Sequence, residues 1–199
     1  MDYMSAGGAV MWIILGLSVI AVTFIIERLI FFAGASADPA SLEREFARAV
    51  ESGDAGGANP VLSGHSSLHR LFKAALDNRA RDGERMRVIL DGCVRHELYR
   101  WEKNLAFLEI TAKVSPLLGL LGTVLGMVEM FRTLNMGGSV NAEAVTGGIW
   151  KALFTTVAGL MVAIPIIIAH GVLAGRITRE EETLRKGADF IMARHTGKG

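Results

Sequence analysis

The side chains of this 199-residue chain best placed to do chemistry are threonines set in apolar runs. Thr123 lies in the uncharged stretch from Val114 to Val128, and Thr155 and Thr156 lie in the stretch from Ala152 to Leu173. A hydroxyl in such a place ordinarily bonds the carbonyl four residues back on its own helix. Its other use is to line a narrow polar path, offering oxygen to a dehydrated cation or holding waters in a proton chain. Neither run contains Asp or Glu. A device moving protons here needs a titratable group from elsewhere, either Glu129 at the outer end of the first run or a carboxylate carried by a partner. The partner is the better source, because Glu129 has Arg132 one turn on and reads as an interfacial residue with a basic neighbour. Lys151, just before the second run, is placed to snorkel to headgroups or to stand at an outer mouth. His170 could titrate near neutrality, but a lone interfacial histidine is more often structural.

Other chemistries lack their parts. Cys93 is the only cysteine, so no intrachain disulfide, CxxC pair or multi-cysteine zinc site can be built, and it reads as a small apolar helix residue. There is no HExxH, no Asp pair in the apolar runs and no serine that His170 could activate. No catalytic residue, metal or cofactor is expected. A net charge of +1 recommends no nucleic acid.

These residues must be positioned by membrane helices. Hydrophobic residues make up 51% of the chain, and three runs approach the ~20 residues a bilayer demands. They are Gly7 to Ile26, Val114 to Val128 with Ile110 to Ala112 and Met130–Phe131 at its ends, and Ala152 to Leu173. Pro116 and Pro165 inside the runs are tolerated in membrane helices, where neighbours satisfy the freed carbonyls. Lys and Arg number 13 from Arg28 to Lys113, 2 from Arg132 to Lys151 and 6 from Arg176 to Lys198. The first and third segments therefore face the cytoplasm, the C-terminus with them, and the N-terminus, with Asp2, lies outside. The small residues Ala35-Ser36-Ala37 allow a cleaved signal peptide, but the long apolar core and the intervening Glu27-Arg28 favour a retained anchor.

The expected fold is all-α: a three-span membrane protein with long cytoplasmic helical extensions. Its parts are residues 1–26, 27–109, 110–173 with a short periplasmic hairpin, and 174–199. Gly119, Gly122, Thr123 and Gly126 share one helix face, so another helix can come close there. Gly159 and Ala163 form a similar pair in the third run, and hairpin packing of the two spans is the simplest use of both. Leu42, Phe46 and Val50 predict a short amphipathic helix, Leu68, Leu71, Phe72, Ala75 and Leu76 a second, and Asp82 an N-cap. From Glu84 the positions Met86, Leu90, Val94, Trp101, Leu105 and Leu108 recur at helical steps, with Glu97 the exception. They predict one helix from Glu84 to about Thr133, on the order of 75 Å long. Ile177, Leu184, Ala188 and Ile191 continue the pattern after the third run.

The stretches PLLGLLGTVLGMVEMF (Pro116 to Phe131) and GGIWKALFTTVAGLMVAIP (Gly147 to Pro165) resemble the paired signatures of the MotA/TolQ/ExbB proton-channel family, nearest its ExbB branch. Glu27-Arg28 after the first span also resembles that family. The resemblance implies a homo-oligomer of five subunits in the bacterial inner membrane. These would enclose a single-span ExbD/TolR-like partner whose membrane aspartate carries the ion, and a TonB-like protein would receive the work. It implies that Thr123 and Thr156 face the pore. It also leaves open a TolQ-like role in envelope integrity and a non-conducting scaffold, while the flagellar stator branch, with four spans, fits less well. Two departures stand out: Lys151 occupies a position often Glu or Gln in ExbB proteins, and Thr155 one that is alanine in many relatives. The second leaves sodium open as the coupling ion.

Overall fold

The computed structural model describes residues 8–33, 38–52, 64–135 and 142–196. They form α1 (Gly8–Ala33), α2 (Pro39–Ser52), α3 (Ser67–Asp77), α4 (Gly83–Glu102), α5 (Leu105–Asn135) and α6 (Ala142–Thr196), with no strand among the described residues. The segment before Gly8, the Ala35-Ser36-Ala37 site and most of the hairpin loop before Ala142 lie outside the described residues. Among the described residues, three helical stretches are long and apolar enough to cross a membrane: Gly8–Phe32, Gly83–Arg132 and Val145–His195.

The second of these is not one helix, which corrects the expectation of an unbroken run from Glu84. It is interrupted at Lys103 and Asn104, where Asn104 has φ of 66°. That left-handed conformation ends an α-helix, and asparagine is among the few residues other than glycine that adopt it readily. The Asn104 amide donates to Glu27 Oε2 at 2.9 Å, and the helix restarts with Leu108 N bonding Asn104 O at 3.3 Å.

The chain divides into two compact units. The first comprises the described residues of Met1–Glu27 and Asn104–Val172, hence most of α1, all of α5 and the first half of α6. Val10, Met11, Ile14 and Ala21 of α1 are buried, and Phe24 stacks edge-on to Phe107 of α5 with ring centroids 5.1 Å apart. Leu117, Leu120, Met161 and Ile168 point away from the unit and are more than half exposed, as expected of surface made for lipid or another protein chain.

The second unit, Arg28–Lys103 with Leu173–Gly199, has an ordinary hydrophobic core. Leu42 and Phe46 of α2, Leu68, Leu71 and Phe72 of α3, Met86, Leu90 and Val94 of α4, and Leu184 and Ile191 of α6 form one cluster. Each such side chain contributes roughly 1.5–3 kcal/mol by leaving water. The apolar stripe after the third run is therefore intrachain core. Ser66 caps α3 by accepting from His69 N, and Asp82 caps α4 by accepting from Arg85 N at 2.8 Å. Phe31 and Phe32, in the last turns of α1, meet Trp101 edge-on at 5.4 and 4.5 Å.

Glu97, the break in the apolar stripe of α4, is 2% exposed and held by charge. Arg70 of α3 donates to both its oxygens, through Nε to Oε1 at 2.6 Å and through Nη2 to Oε2. Arg100 approaches at 3.5 Å. Ser67 bonds the same carboxylate and accepts from Trp101 Nε1 at 2.8 Å. Burial works to raise the Glu97 pKa, but Arg70, Ser67 and Arg100 together outweigh it and hold the carboxyl below its usual value. The half-buried Glu180 of α6 goes the other way, raised by its own burial and then by the charge of Glu97, with Arg70 opposing. Cys93 nearby is likewise raised by burial first and by Glu97 second, which leaves its thiol protonated and poorly nucleophilic.

Because the folded pKa of Glu97 is depressed, its contribution is present above the unfolded value of about 4.3 and is lost as pH falls through the folded pKa. Arg70→Met removes the counter-charge and should cost about 3 kcal/mol, as breaking a buried pair does. It should also reverse the acid dependence, because the unpaired carboxyl then gains by protonation; thermal melting of the detergent-solubilised chain between about pH 4 and pH 7 reads both. Glu180, with its pKa raised, costs stability at neutral pH and ceases to as pH falls. Glu180→Gln should therefore melt a few degrees higher at neutral pH and lose that advantage in acid.

Candidate functional site

The site is built where α5 and α6 lie antiparallel in the first unit. A Cβ added to Gly126 would meet Ala152 Cβ at 3.0 Å, and one on Gly122 would meet Thr155 Oγ1 at 2.5 Å. One on Gly119 would meet Thr155 O at 2.9 Å and Thr156 Cα at 3.0 Å, and one on Gly159 would meet Ser115 O at 2.5 Å. As α5 positions fall from 126 to 115, their α6 partners rise from 152 to 159, so a single row of small residues on each helix lets the backbones touch. Ala163, 1% exposed, extends the buried face of α6. Pro116 is half-buried beside this row, while Pro165 is exposed on α6.

The hydroxyls are held by this approach. Thr156 Oγ1 donates across the seam to Gly119 O at 3.1 Å. Thr155 Oγ1 stands 2.7 Å from Ala152 O on its own helix and 3.2 Å from the same Gly119 O. Thr123 Oγ1 donates to Leu120 O at 2.6 Å on its own helix. Thus no hydroxyl of the three takes the i−4 carbonyl: Thr123 and Thr155 turn to i−3, and Thr155 and Thr156 both reach Gly119 O on the neighbouring span. The seam joins Thr155, Thr156 and Gly119 in one hydrogen-bonded cluster and leaves Thr123 on its own helix.

The residues at the loop end of the hairpin stand apart from that cluster. Lys151 is exposed one turn before Thr155, and Glu129 Oε2 is 3.9 Å from Arg132 Nη1, both of the latter side chains being largely exposed. His170 is half-buried in α6. Among the described residues no group of His, Cys, Asp and Glu is arranged to hold a metal ion.

Ser115 is a seam residue that sequence reasoning passed over. It is fully buried, donates to Thr111 O at 2.8 Å and offers its carbonyl to the bare backbone of Gly159. Its signal was present, since 115, 119, 122 and 126 extend the small-residue row at steps of four, three and four. Gly148 is another, its open side filled by Met130, whose Cγ would be 3.0 Å from an added Cβ.

Residues 63–186 match the MotA/TolQ/ExbB proton channel family, and the chain belongs to that family. It is 33% identical over 178 residues, 88% of this chain and 85% of the relative, to the putative biopolymer transport protein ExbB-like 3 of Synechocystis. Over a shorter stretch of 89 residues, 45% of this chain and 36% of the relative, it is 35% identical to the Tol-Pal system protein TolQ of Haemophilus influenzae. Among solved structures, that of Campylobacter jejuni MotAB superposes with a TM-score of 0.67 at 14% identity, covering 98% of this chain and 81% of the other, which is a likeness of fold. The family is one of proton-channel proteins, in keeping with the three helical stretches that, among the described residues, are long and apolar enough to cross a membrane.

The seam should tolerate no added bulk. Gly122→Ala and Gly159→Ala should each lower the stability of the detergent-solubilised protein by about 1–3 kcal/mol, the usual cost of overpacking. Gly171→Ala, whose new methyl group meets nothing within 4 Å among the described residues, should not lower it. Thermal denaturation followed by size-exclusion chromatography distinguishes them.

Proposed function

We propose that this chain is the ExbB-like shell of an ion-driven motor of the bacterial inner membrane. Several copies, five by family resemblance, enclose the membrane helices of a single-span ExbD/TolR-like partner. The partner's membrane aspartate carries the proton or sodium ion past Thr123 and Thr156, and the resulting motion is passed to a TonB-like protein that energises transport across the outer membrane. The N-terminus faces outward and the C-terminus the cytoplasm, in accord with the 13, 2 and 6 basic residues of the successive segments.

The observation that carries this reading is the combination of hydroxyls with the absence of an acid. From Val114 to Val128 and from Ala152 to Leu173 the chain offers threonine oxygens but no carboxylate, and its one imidazole there, His170, lies near the far end of the second run from Thr155 and Thr156, so these stretches can line a path. On this reading the carboxylate that carries the ion comes from another chain. A field of ~100 mV supplies about 2.3 kcal/mol per charge, so one work cycle draws on several ions. Lys151 at the outer end adds a positive charge there, and on this reading the path relies on the partner to draw cations in.

A TolQ-like role in envelope integrity is the second reading, supported by the match to the Haemophilus protein. A TonB-like protein encoded beside this chain favours transport, and a Pal-like lipoprotein favours the Tol role.

Co-expression with the neighbouring single-span protein should yield a stable complex holding more copies of this chain than of the partner, measured by native mass spectrometry. In proteoliposomes it should take up protons or sodium down an imposed potential, and Thr123→Val or Thr156→Val should abolish uptake without dissolving the complex. A chain that purifies without the partner, or a complex that never conducts, sinks this reading.

A further inference from the structure

The Gly119 carbonyl is claimed by more donors than it can serve. A carbonyl oxygen has two lone pairs, and within α5 one of them takes the helical bond from the amide of Thr123. The hydroxyls of Thr155 and Thr156 both lie within reach of the lone pair that remains, at 3.2 and 3.1 Å. Their alternatives differ. Thr155 has a nearer acceptor on its own helix, Ala152 O at 2.7 Å, whereas the bond to Gly119 O is the one Thr156 makes. Their surroundings differ as well. Thr155 is 1% exposed and wedged against Gly122, where an added Cβ would lie 2.5 Å from its hydroxyl oxygen, while Thr156 is only half-buried.

We propose that Thr155 is a positioning residue for conduction: its hydroxyl proton moves from Ala152 O to Gly119 O whenever Thr156 turns its own hydroxyl to a passing water or ion. This rests on the conducting role assigned to Thr156 above. Each Thr156 departure takes from Gly119 O the second of its two bonds while the amide of Thr123 keeps the first, and the Thr155 hydroxyl, 3.2 Å away, is placed to restore it. Rotation of the Thr155 hydroxyl about its C–O bond replaces that bond without moving either helix. Ala152 O keeps the backbone bond of α6 meanwhile. Thr155 lends a proton to the neighbouring acceptor and never touches the ion.

The test uses the complex with its single-span partner in proteoliposomes, reading uptake per complex with an entrapped pH- or sodium-sensitive dye, beside its melting temperature. Thr155→Val keeps the side-chain shape and removes the donor; Thr155→Ser keeps the donor. The expected result is a roughly three- to tenfold loss of uptake in the valine variant, what one hydrogen bond of ordinary net strength is worth, with the serine variant near the unaltered protein. All should melt alike. Unchanged uptake in Thr155→Val overturns the proposal, as does a fall matched by an equal loss of intact complex, since that is what a merely structural contact would give. If Thr156→Val conducts normally, the conducting role itself has failed and this inference falls with it, a result that uptake in the Thr155 variants alone cannot produce.

Discussion

Gly159 lies so near α5 that a methyl group there would sit 2.5 Å from the carbonyl oxygen of Ser115. Lipid tails are as apolar as the side chains they touch, so two spans gain little from hiding leucines against each other. They gain from close contact and from polar groups that find partners. Bringing two backbones together achieves both at once. It places Gly119 O within reach of hydroxyls on the other span, and it turns the bulky residues, Leu117, Leu120, Met161 and Ile168 among them, outward. The polar seam and the greasy exterior are two results of one register.

The second unit is stabilised on a different principle. There water is available to drive burial, and four helices share an aliphatic and aromatic core. Into that core the chain sets the carboxylate of Glu97, and surrounds it with a bidentate arginine, a serine and a second arginine. Such a cluster adds less to stability than leucines of equal volume would, but it penalises any packing in which α3 and α4 slip past one another. Trp101, tied to Ser67 through its indole and to Phe31 and Phe32 through its faces and edges, anchors the membrane-proximal end of α4 in the same way.

Much of this could be read from local spacing. The steps of three and four through Met86, Leu90 and Val94 name the buried face of α4, and the glycine row names the face of α5 that meets another helix. What escaped were facts set by distant residues. Glu97 broke an apolar pattern because its partner is 27 residues earlier, and no window on α4 contains Arg70. Thr156 spends its proton on Gly119, 37 residues away, a choice made by the hairpin register and invisible to the threonine's own turn. The interruption at Lys103 and Asn104 has neither proline nor glycine to announce it. Asparagine supplies the left-handed turn there, and its amide is engaged by Glu27, 77 positions back.

The glycines of the seam also differ in what stands behind them. Gly119 and Gly159 face main-chain atoms, which no exchange of side chains can remove, whereas the space beside Gly148 is filled by the thioether arm of Met130. Methionine is unbranched and bends at small cost. Over long divergence the first two positions are therefore frozen singly, while Gly148 and Met130 are free to drift as a pair, one growing as the other shrinks. Among relatives of this chain, coupled variation should gather at the loop end of the hairpin and vanish toward its middle, marking in the record of tolerated change the depth at which the two backbones meet.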